Sequence, residues 1–319
     1  MGSTTTQAPG RLAFPAMITG SACLAFGPWL VRLADVGPLA SAFWRQALAV
    51  PFLLALAFVV RAPGGKPAGF AGTTLGIVGL TALAGFAFAA DLSVWHLGIM
   101  RTTLANSTLL ANAATFMLPL YGLLVLGQKL SRPQWWALAS AAAGVTLLLG
   151  RSAELSPRHF AGDLLCLAAA VFYTIYLIAI EKVRGTLQAM PALALATLAS
   201  ALALAPLAAS GVFWPQNWTP VLGLAIGSQV VGQGLIVYAV RHLSPLVVGL
   251  SLLVQPAISA MIGAWRFGEV PGSLEMVGAL NETDGGSDSE EPVHGLSEPV
   301  LSWVGVGRVV KVGMVITPP

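Results

Sequence analysis

Two ionisable side chains stand inside long apolar runs and are the first candidates for chemistry. Arg45 lies near the start of the second run, and Asp91 is the only acid well within an apolar run of the first half of the chain. Charges in apolar surroundings cost free energy, so they face a polar cavity or pair with each other. Arg45 could bind an anionic solute, pair structurally or extend its head group to an interface. Asp91 could contact solute, exchange a proton, or be a structural partner of Arg45 or Arg101.

Trp95 and His96 extend the same candidate site. Trp95 follows Asp91 by four residues, so the two side chains share one face of a helix, and His96 lies next to them. We count both as candidates for solute contact. For His96 the alternative of a packed histidine with satisfied hydrogen bonds stays open.

Amide side chains in later apolar runs form a second group of candidates. Asn106 and Asn112 are six positions apart, about 240° around a helix, so they cannot both face one cavity squarely. One could bind solute while the other hydrogen-bonds a neighbouring helix. Gln229 and Gln233 are four apart and share a face, and Tyr238 lies at the edge of that face.

Prolines within two apolar runs predict local breaks in helices. Gln255 directly precedes Pro256, and Pro119 stands within an earlier run. Proline has no N–H and so frees a carbonyl from the helical ladder. Broken helices mark binding sites in several transporter folds, although many prolines only kink a helix. We expect Gln229, Gln233 and Gln255 to line one polar pathway.

Several kinds of chemistry lack their motifs. The sequence contains no Gly-x-x-x-x-Gly-Lys-Ser/Thr run for nucleotide phosphates, no metal-ligand spacing and no Gly-x-Ser-x-Gly elbow. The two cysteines, Cys23 and Cys166, both lie in apolar runs and predict neither a disulfide framework nor a metal site. The net charge of +3 comes from scattered basic residues, so nucleic acid is not an expected partner. We therefore expect no cofactor, no metal and no enzymatic activity.

The elements that must position these residues are transmembrane helices. Apolar residues make up 56% of the chain and charged residues only 9%, where soluble domains carry roughly 25% charge. Uncharged runs of about 20 residues are long enough to cross a bilayer, where the backbone must satisfy its own hydrogen bonds. We place helices near residues 12–31, 38–60, 73–96, 104–127, 133–150, 163–183, 191–210, 219–240 and 246–266, and a tenth could begin near Ser273. We expect loops at Arg61–Lys66, Arg151–Arg158 and Trp214–Pro220.

The distribution of basic residues predicts the orientation. If the N-terminus is cytoplasmic, eight Lys and Arg residues lie in cytoplasmic loops against five in the opposite loops. Basic residues favour the cytoplasmic side. We therefore expect an N-terminus inside the cell.

Two short segments that follow apolar runs resemble each other. Gly127–Gln128 and Gly268–Glu269 are 141 residues apart, and Gly278 follows Glu269 by nine positions. The drug/metabolite transporter superfamily has a pattern of a helix that ends in Gly-Glu, a polar turn and a glycine at this later position. The chain resembles the EamA-type group of that superfamily. The first copy departs from the pattern at Gln128 and Ala137. Segment 91–112 also resembles the helix 3–4 segment of a bacterial branch of this group, and residues 43–45 resemble the Arg-bearing start of the group's second helix.

This resemblance implies a 5+5 inverted repeat of helices. Residues 12–150 would form the first half and 163–280 the second, after an N-terminal tail of residues 1–11. The resemblance also implies a central cavity and secondary or facilitated transport of a small metabolite or drug-like solute by alternating access. The expected partners are the lipid bilayer of an inner membrane, a small-molecule solute and a coupled proton, with a homodimer left open. The alternatives are a membrane-embedded enzyme, a protein that handles lipid head groups, or a transporter inactivated by damage at its C-terminus.

The C-terminal segment departs from the family pattern. Six of the thirteen acids fall within residues 281–298, where the repeat calls for an apolar tenth helix. Such a segment cannot lie in hydrocarbon. We therefore predict nine firm spans, a missing or degenerate tenth helix, and a disordered tail over 281–319 that is either a regulatory extension or the product of a shifted reading frame.

Overall fold

The computed structural model describes residues 12–59, 73–125, 127, 130–243 and 245–269, and every regular element in these ranges is helical. This confirms the predicted all-α fold. The helices are α1 (Ala13–Ala25), α2 (Gly27–Leu33), α3 (Pro38–Val59), α4 (Leu75–Ile99), α5 (Leu104–Ala111), α6 (Ala114–Leu124), α7 (Arg132–Leu155), α8 (Pro157–Arg184), α9 (Ala189–Ala208), α10 (Thr219–Gly223), a π-helix (Leu224–Gly232), α11 (Gln233–Ala239), α12 (Pro245–Leu252) and α13 (Val254–Phe267).

Eight spans in the described part of the chain are long and apolar enough to cross a membrane. Four of them are composite: α1 with α2, α5 with α6, α10 through the π-helix to α11, and α12 with α13. The prediction of a polytopic membrane protein is thereby confirmed. The remaining predicted span, over residues 133–150, coincides with α7, but only Leu138–Gly150 of that helix forms an apolar stretch, which is shorter than a full span.

One predicted loop is helical instead. The segment Arg151–Arg158 was expected to connect two spans, but α7 continues to Leu155 and α8 begins at Pro157. Ser156 separates them as the N-cap of α8, and its hydroxyl accepts a hydrogen bond from the backbone N–H of Arg158 at 3.2 Å. Proline at the first helical position has no N–H to satisfy, so this pair of residues starts a helix without a longer connection.

Two composite spans are broken near the expected prolines. One breaks at Asn112–Ala113, ahead of Pro119, and the other breaks at Leu253, ahead of Pro256. The two spans cross at close range, where the hydroxyl of Thr115 donates to the carbonyl of Gly249 at 3.0 Å. A Cβ at Gly249 would lie only 2.9 Å from the carbonyl oxygen of Thr115. Glycine is therefore required for this crossing.

Helix α4 lies at the centre of the bundle, packed against α3, α8 and α9. Small residues allow this close packing: a Cβ at Gly85 would lie 2.5 Å from the Cβ of Ala199, and one at Gly98 would lie 2.6 Å from the sulfur of Cys166. The side chains of α4 are thus held by three neighbours. The predicted loop Arg61–Lys66, the tenth helix near Ser273 and the tail 281–319 lie outside the described residues.

Candidate functional site

An internal cavity of about 40 Å³ opens between the broken spans and α4. Its lining comes from α1, α3, α4, α5 and its C-cap, α8, α11 and α13. The lining residues are Leu24, Arg45, Phe88, Asp91, Leu92, Trp95, Ala111, Asn112, Tyr173, Gln233 and Gln255. Six of the ten residues singled out in the sequence therefore meet at one place.

Arg45 is the cation of this cavity and is only 2% exposed. Its Nε donates to the side-chain oxygen of Gln229 at 3.3 Å, and its guanidinium lies 5.8 Å from the ring centre of Phe88. Gln229 is held in turn by Gln46, whose amide donates to the same oxygen at 3.1 Å, and by Thr197, which accepts from Gln229 at 3.0 Å. Nη1 of Arg45 has no hydrogen-bond partner among the described residues. One strong donor is thus left for a ligand.

Asp91 is the acid of the cavity and is 6% exposed. It makes no hydrogen bond and no ion pair within 4.0 Å to any residue that the structure describes. Arg45 acts on it electrostatically without contact. A carboxyl group in this position is free to bind a proton or a donor group of a solute.

Aromatic rings and Gln233 form another wall. The rings of Phe88 and Tyr176 stack with centroids 4.5 Å apart, and those of Tyr173 and Tyr176 lie 5.7 Å apart. The side-chain amide of Gln233 donates towards the hydroxyls of Tyr176 at 3.2 Å and Tyr173 at 3.4 Å, while its oxygen has no partner in the described part of the chain. Sequence reasoning missed both tyrosines. Their three-residue spacing in an uncharged run could have pointed to them.

The remaining lining candidates are anchored by backbone groups. Trp95 donates its indole N–H to the carbonyl of Ser107 at 3.1 Å, and Asn112 donates to the carbonyl of Thr108 at 2.9 Å. Gln255 lies beside the break at Leu253, at the start of α13. Their orientation therefore depends on where the helices break.

His96 lies outside the cavity, fully buried against α3. Its Nδ1 lies 2.8 Å from the hydroxyl of Ser41, which itself donates to the carbonyl of Pro38 at 2.8 Å. Since that hydroxyl has one proton, both bonds form when His96 is the Nδ1–H donor. Its Nε2 has no partner in the described ranges. This arrangement is that of a packing residue.

Asn106 belongs to a separate polar cluster around Asp163, a fully buried acid on α8. The carboxylate of Asp163 accepts hydrogen bonds from the hydroxyls of Thr102 and Ser152 and, at 3.3 Å, from the amide of Asn106. The two asparagines thus diverge as their spacing predicts: Asn112 reaches the cavity, and Asn106 bonds a neighbouring helix. Sequence reasoning overlooked Asp163, because it stands at the predicted start of a helix, where acids are ordinary.

Gln229 and Tyr238 also lie outside the cavity lining. Gln229 falls within the π-helix and bonds side chains of α3 and α9, whereas Gln233 begins α11 and bonds tyrosines of α8. Tyr238 packs against His242, with ring centroids 5.4 Å apart. Partial burial, together with the charges of Arg184 and Arg241, lowers the pKa of His242 below its ordinary value.

Within the described ranges, no group of three His, Cys, Asp or Glu residues lies close enough to hold a metal ion. The site offers instead one buried cation, one buried acid, neutral amides and aromatic walls. These are groups that bind a small molecule.

The fold and the sequence both have known counterparts. A solved crystal structure, described only as "Crystal structure of protein", has a TM-score of 0.61 at 18% identity, covering 86% of this chain and 94% of that chain. No curated protein matches the sequence. Residues 160–281, from α8 onward, match the model of the EamA-like transporter family. Residues 160–281 of this multi-pass membrane protein are therefore similar to the EamA-like transporter family, which is part of the drug/metabolite transporter superfamily.

Proposed function

We propose that this protein is a secondary or facilitated transporter that binds a small solute in the cavity beside Arg45 and Asp91 and moves it by alternating access. The observation that carries the proposal is a cavity whose lining residues carry buried polar atoms that have no partner in the described residues. These are Nη1 of Arg45 and the side-chain oxygen of Gln233. Unsatisfied buried groups cost free energy, and a solute that satisfies them would recover it.

The breaks in two spans support a moving site. Asn112 ends α5 at one break, and Gln255 lies just past the other break, and both line the cavity. A helix interrupted at a binding site can pivot there without the loss of a regular hydrogen-bond ladder. Alternating access needs such hinges.

Equivalent features in the two halves support an inverted repeat over residues 12–150 and 163–280. Gly127 and Gly268, 141 positions apart, both adopt the left-handed conformation, with φ of 65° and 64°. The breaks at Asn112 and Leu253 are also 141 positions apart. Five spans in each half would reverse the direction of the second half, and the two orientations would exchange roles during a cycle.

The energy source in this proposal is a solute or proton gradient, because the sequence has no nucleotide-binding motif and carries a buried acid in the cavity. Residence in an inner membrane with a cytoplasmic N-terminus, and assembly as a homodimer, remain parts of the proposal.

The decisive test uses purified protein in lipid vesicles with a panel of labelled metabolites. Uptake of an unaltered solute that continues without ATP and follows an imposed gradient would support transport. A solute recovered in chemically altered form would favour the alternative of a membrane-embedded enzyme. Uptake equal to that of protein-free vesicles for every solute would contradict the proposal.

A further inference from the structure

The cavity lining contains one cation, Arg45, and one acid, Asp91. Each is the only opposite charge that the lining offers to the other. Arg45 is held by neutral groups, Gln229 and the ring of Phe88, and Asp91 is held by none of the described residues. The other polar lining groups, Asn112, Gln233 and Gln255, are neutral amides. The empty site is therefore electrically balanced when Asp91 is ionised.

The surroundings of Asp91 supply no other charge. The titratable or charged groups that face it are Arg45 from α3 and Tyr173, Tyr176 and Cys166 from α8. Helices α5 and α9, which also pack against α4, carry no titratable side chain, and α2 carries Arg32, whose charge is paired with Glu269. A second negative charge brought to Arg45 would consequently be uncompensated unless Asp91 became neutral.

We propose, resting on the transport function above, that the solute carries one carboxylate group, which replaces Asp91 as the counter-charge of Arg45 while Asp91 takes up one proton. The empty site holds Arg45⁺ and Asp91⁻. The loaded site holds Arg45⁺, the solute carboxylate and protonated Asp91. Both states are neutral, so one carboxylate and one proton cross together and no net charge moves.

The geometry of Arg45 fits this exchange. Its Nε is already engaged by Gln229, whereas the buried Nη1 has no partner among the described residues, and Arg45 lines the cavity, so an incoming carboxylate would find a donor of Arg45 uncommitted. A hydrogen bond between two charged groups in a low-dielectric site is stronger than one between neutral groups. The same burial makes an unmatched charge costly, which couples the proton to the carboxylate.

The walls of the cavity favour a carboxylate with a short apolar body. These walls are apolar and aromatic side chains, chiefly Leu24, Phe88, Leu92 and Trp95. The free oxygen of Gln233 adds an acceptor for a hydroxyl or amine on the solute. Lactate is therefore a suitable probe, with lactamide as its neutral counterpart and protonated 1-amino-2-propanol as its cationic one.

Binding to detergent-purified protein provides the first test. Labelled lactate should bind the wild type about tenfold more tightly for each unit of falling pH while Asp91 is ionised in the empty site, with one proton taken up per lactate in weakly buffered solution. Asp91→Asn should bind lactate without proton uptake and without this pH dependence. Arg45→Gln should lose lactate binding. Because Arg45→Gln could fail to fold, the test is decided by comparing Asp91→Asn with the wild type in proton uptake and in the pH dependence of lactate binding.

Three outcomes would overturn the inference. Lactamide could bind as tightly as lactate, the cation could bind with release of a proton, or Asp91→Asn could keep the wild-type pH dependence.

Vesicles with a clamped membrane potential provide the second test. Net lactate uptake by the wild type, corrected for protein-free vesicles, should be insensitive to the potential and driven by an inward proton gradient. Asp91→Asn should still exchange internal for external lactate, but its net uptake should follow an inside-positive potential, because each cycle would now move one negative charge. If the wild type moves other solutes but not lactate or another small carboxylate, this inference fails and the proposed function stands. If no solute moves at all, the proposed function fails.

Discussion

Glu269 and Arg32 form an ion pair that joins the two ends of the described chain. Nη1 of Arg32 lies 2.6 Å from Oε1 of Glu269, and Oε2 of Glu269 accepts the backbone N–H of Leu104 at 2.8 Å. Arg32 also donates to the carbonyl of Thr102 at 2.6 Å. The carboxylate of Glu269, which follows α13, thus connects the end of α2 to the start of α5. This glutamate is the acid of the Gly-Glu pair on which the family resemblance was first recognised.

The proposed repeat has no matching acid in the first half of the sequence. At an offset of 141 residues, Glu269 corresponds to Gln128, and Leu104 corresponds to Pro245, which has no N–H to donate. The side chain of Arg184 binds backbone groups, and it donates to the carbonyls of Val237 at 3.1 Å and Leu187 at 2.8 Å.

Glu269→Gln should weaken the contacts of this side chain with Arg32 and Leu104. The substitution keeps an acceptor of the same shape and removes the charge, which costs about 1.5–3 kcal/mol for a hydrogen bond to a charged group. We expect a lower midpoint of thermal unfolding in detergent. Arg32→Gln serves as the partner variant. The double variant should have a free energy of unfolding no lower than that of the less stable single variant. Losses that add fully in the double variant would show that the two side chains act independently.

The packing of α4 predicts a sharp contrast between two of its glycines. Gly85→Ala would place a Cβ 2.5 Å from that of Ala199 and 2.6 Å from the carbonyl of Ala196, so α9 must shift. Overpacking of this kind costs about 1–3 kcal/mol. Gly79→Ala, on the same helix, would meet no atom within 4 Å and should be neutral or slightly stabilising. Thermal unfolding of both variants measures this contrast. Equal unfolding midpoints would contradict the close approach of Gly85 to Ala199.

The sequence predicted the helices and the charged part of the site, because both depend on physical rules that act locally. An ionisable residue in an apolar run is costly wherever it lies, so Arg45 and Asp91 could be recognised without a structure. The different surroundings of Gln229 and Gln233 could not be predicted, because a four-residue spacing does not say which neighbouring helix each side chain meets. Tyr173 was missed because an aromatic residue in a membrane span has many ordinary uses.

Asp163→Asn should affect stability rather than transport. Asp163 is bonded to Thr102, Ser152 and Asn106 and lies outside the cavity lining, unlike Asp91. Loss of its charge weakens three hydrogen bonds, and the amide group offers one acceptor oxygen in place of two. We expect a lower unfolding midpoint with near-normal uptake per folded molecule. Asp91→Asn is the matched control for function, and its proton coupling per folded molecule should be lost.

A change in the proton coupling of Asp163→Asn at wild-type stability would reverse this assignment. It would place the working acid at the Asp163 cluster. Measurement of uptake together with the amount of membrane-inserted protein separates these outcomes.

Cysteine labelling should divide the three glutamines that the sequence placed in one polar pathway. Gln233 and Gln255 line the cavity, whereas Gln229 lies outside its lining, bonded to Arg45, Gln46 and Thr197. In a background in which the native cysteines are replaced, we expect a small water-soluble thiol reagent to modify single cysteines at Gln233 and Gln255. A cysteine at Gln229 should stay unmodified in the folded protein and react only after denaturation.

Solute protection makes this test specific to the cavity. A transported solute, added before the reagent, should slow the modification at Gln233 and Gln255, because it occupies the space that the reagent must enter. Reaction at Gln229 as fast as at Gln233 would mean that the π-helix opens to water during the cycle, and the site would then extend towards α9. Protection of all three positions without solute would mean that the cavity is closed to the aqueous phase, and the pathway would have to run along other residues.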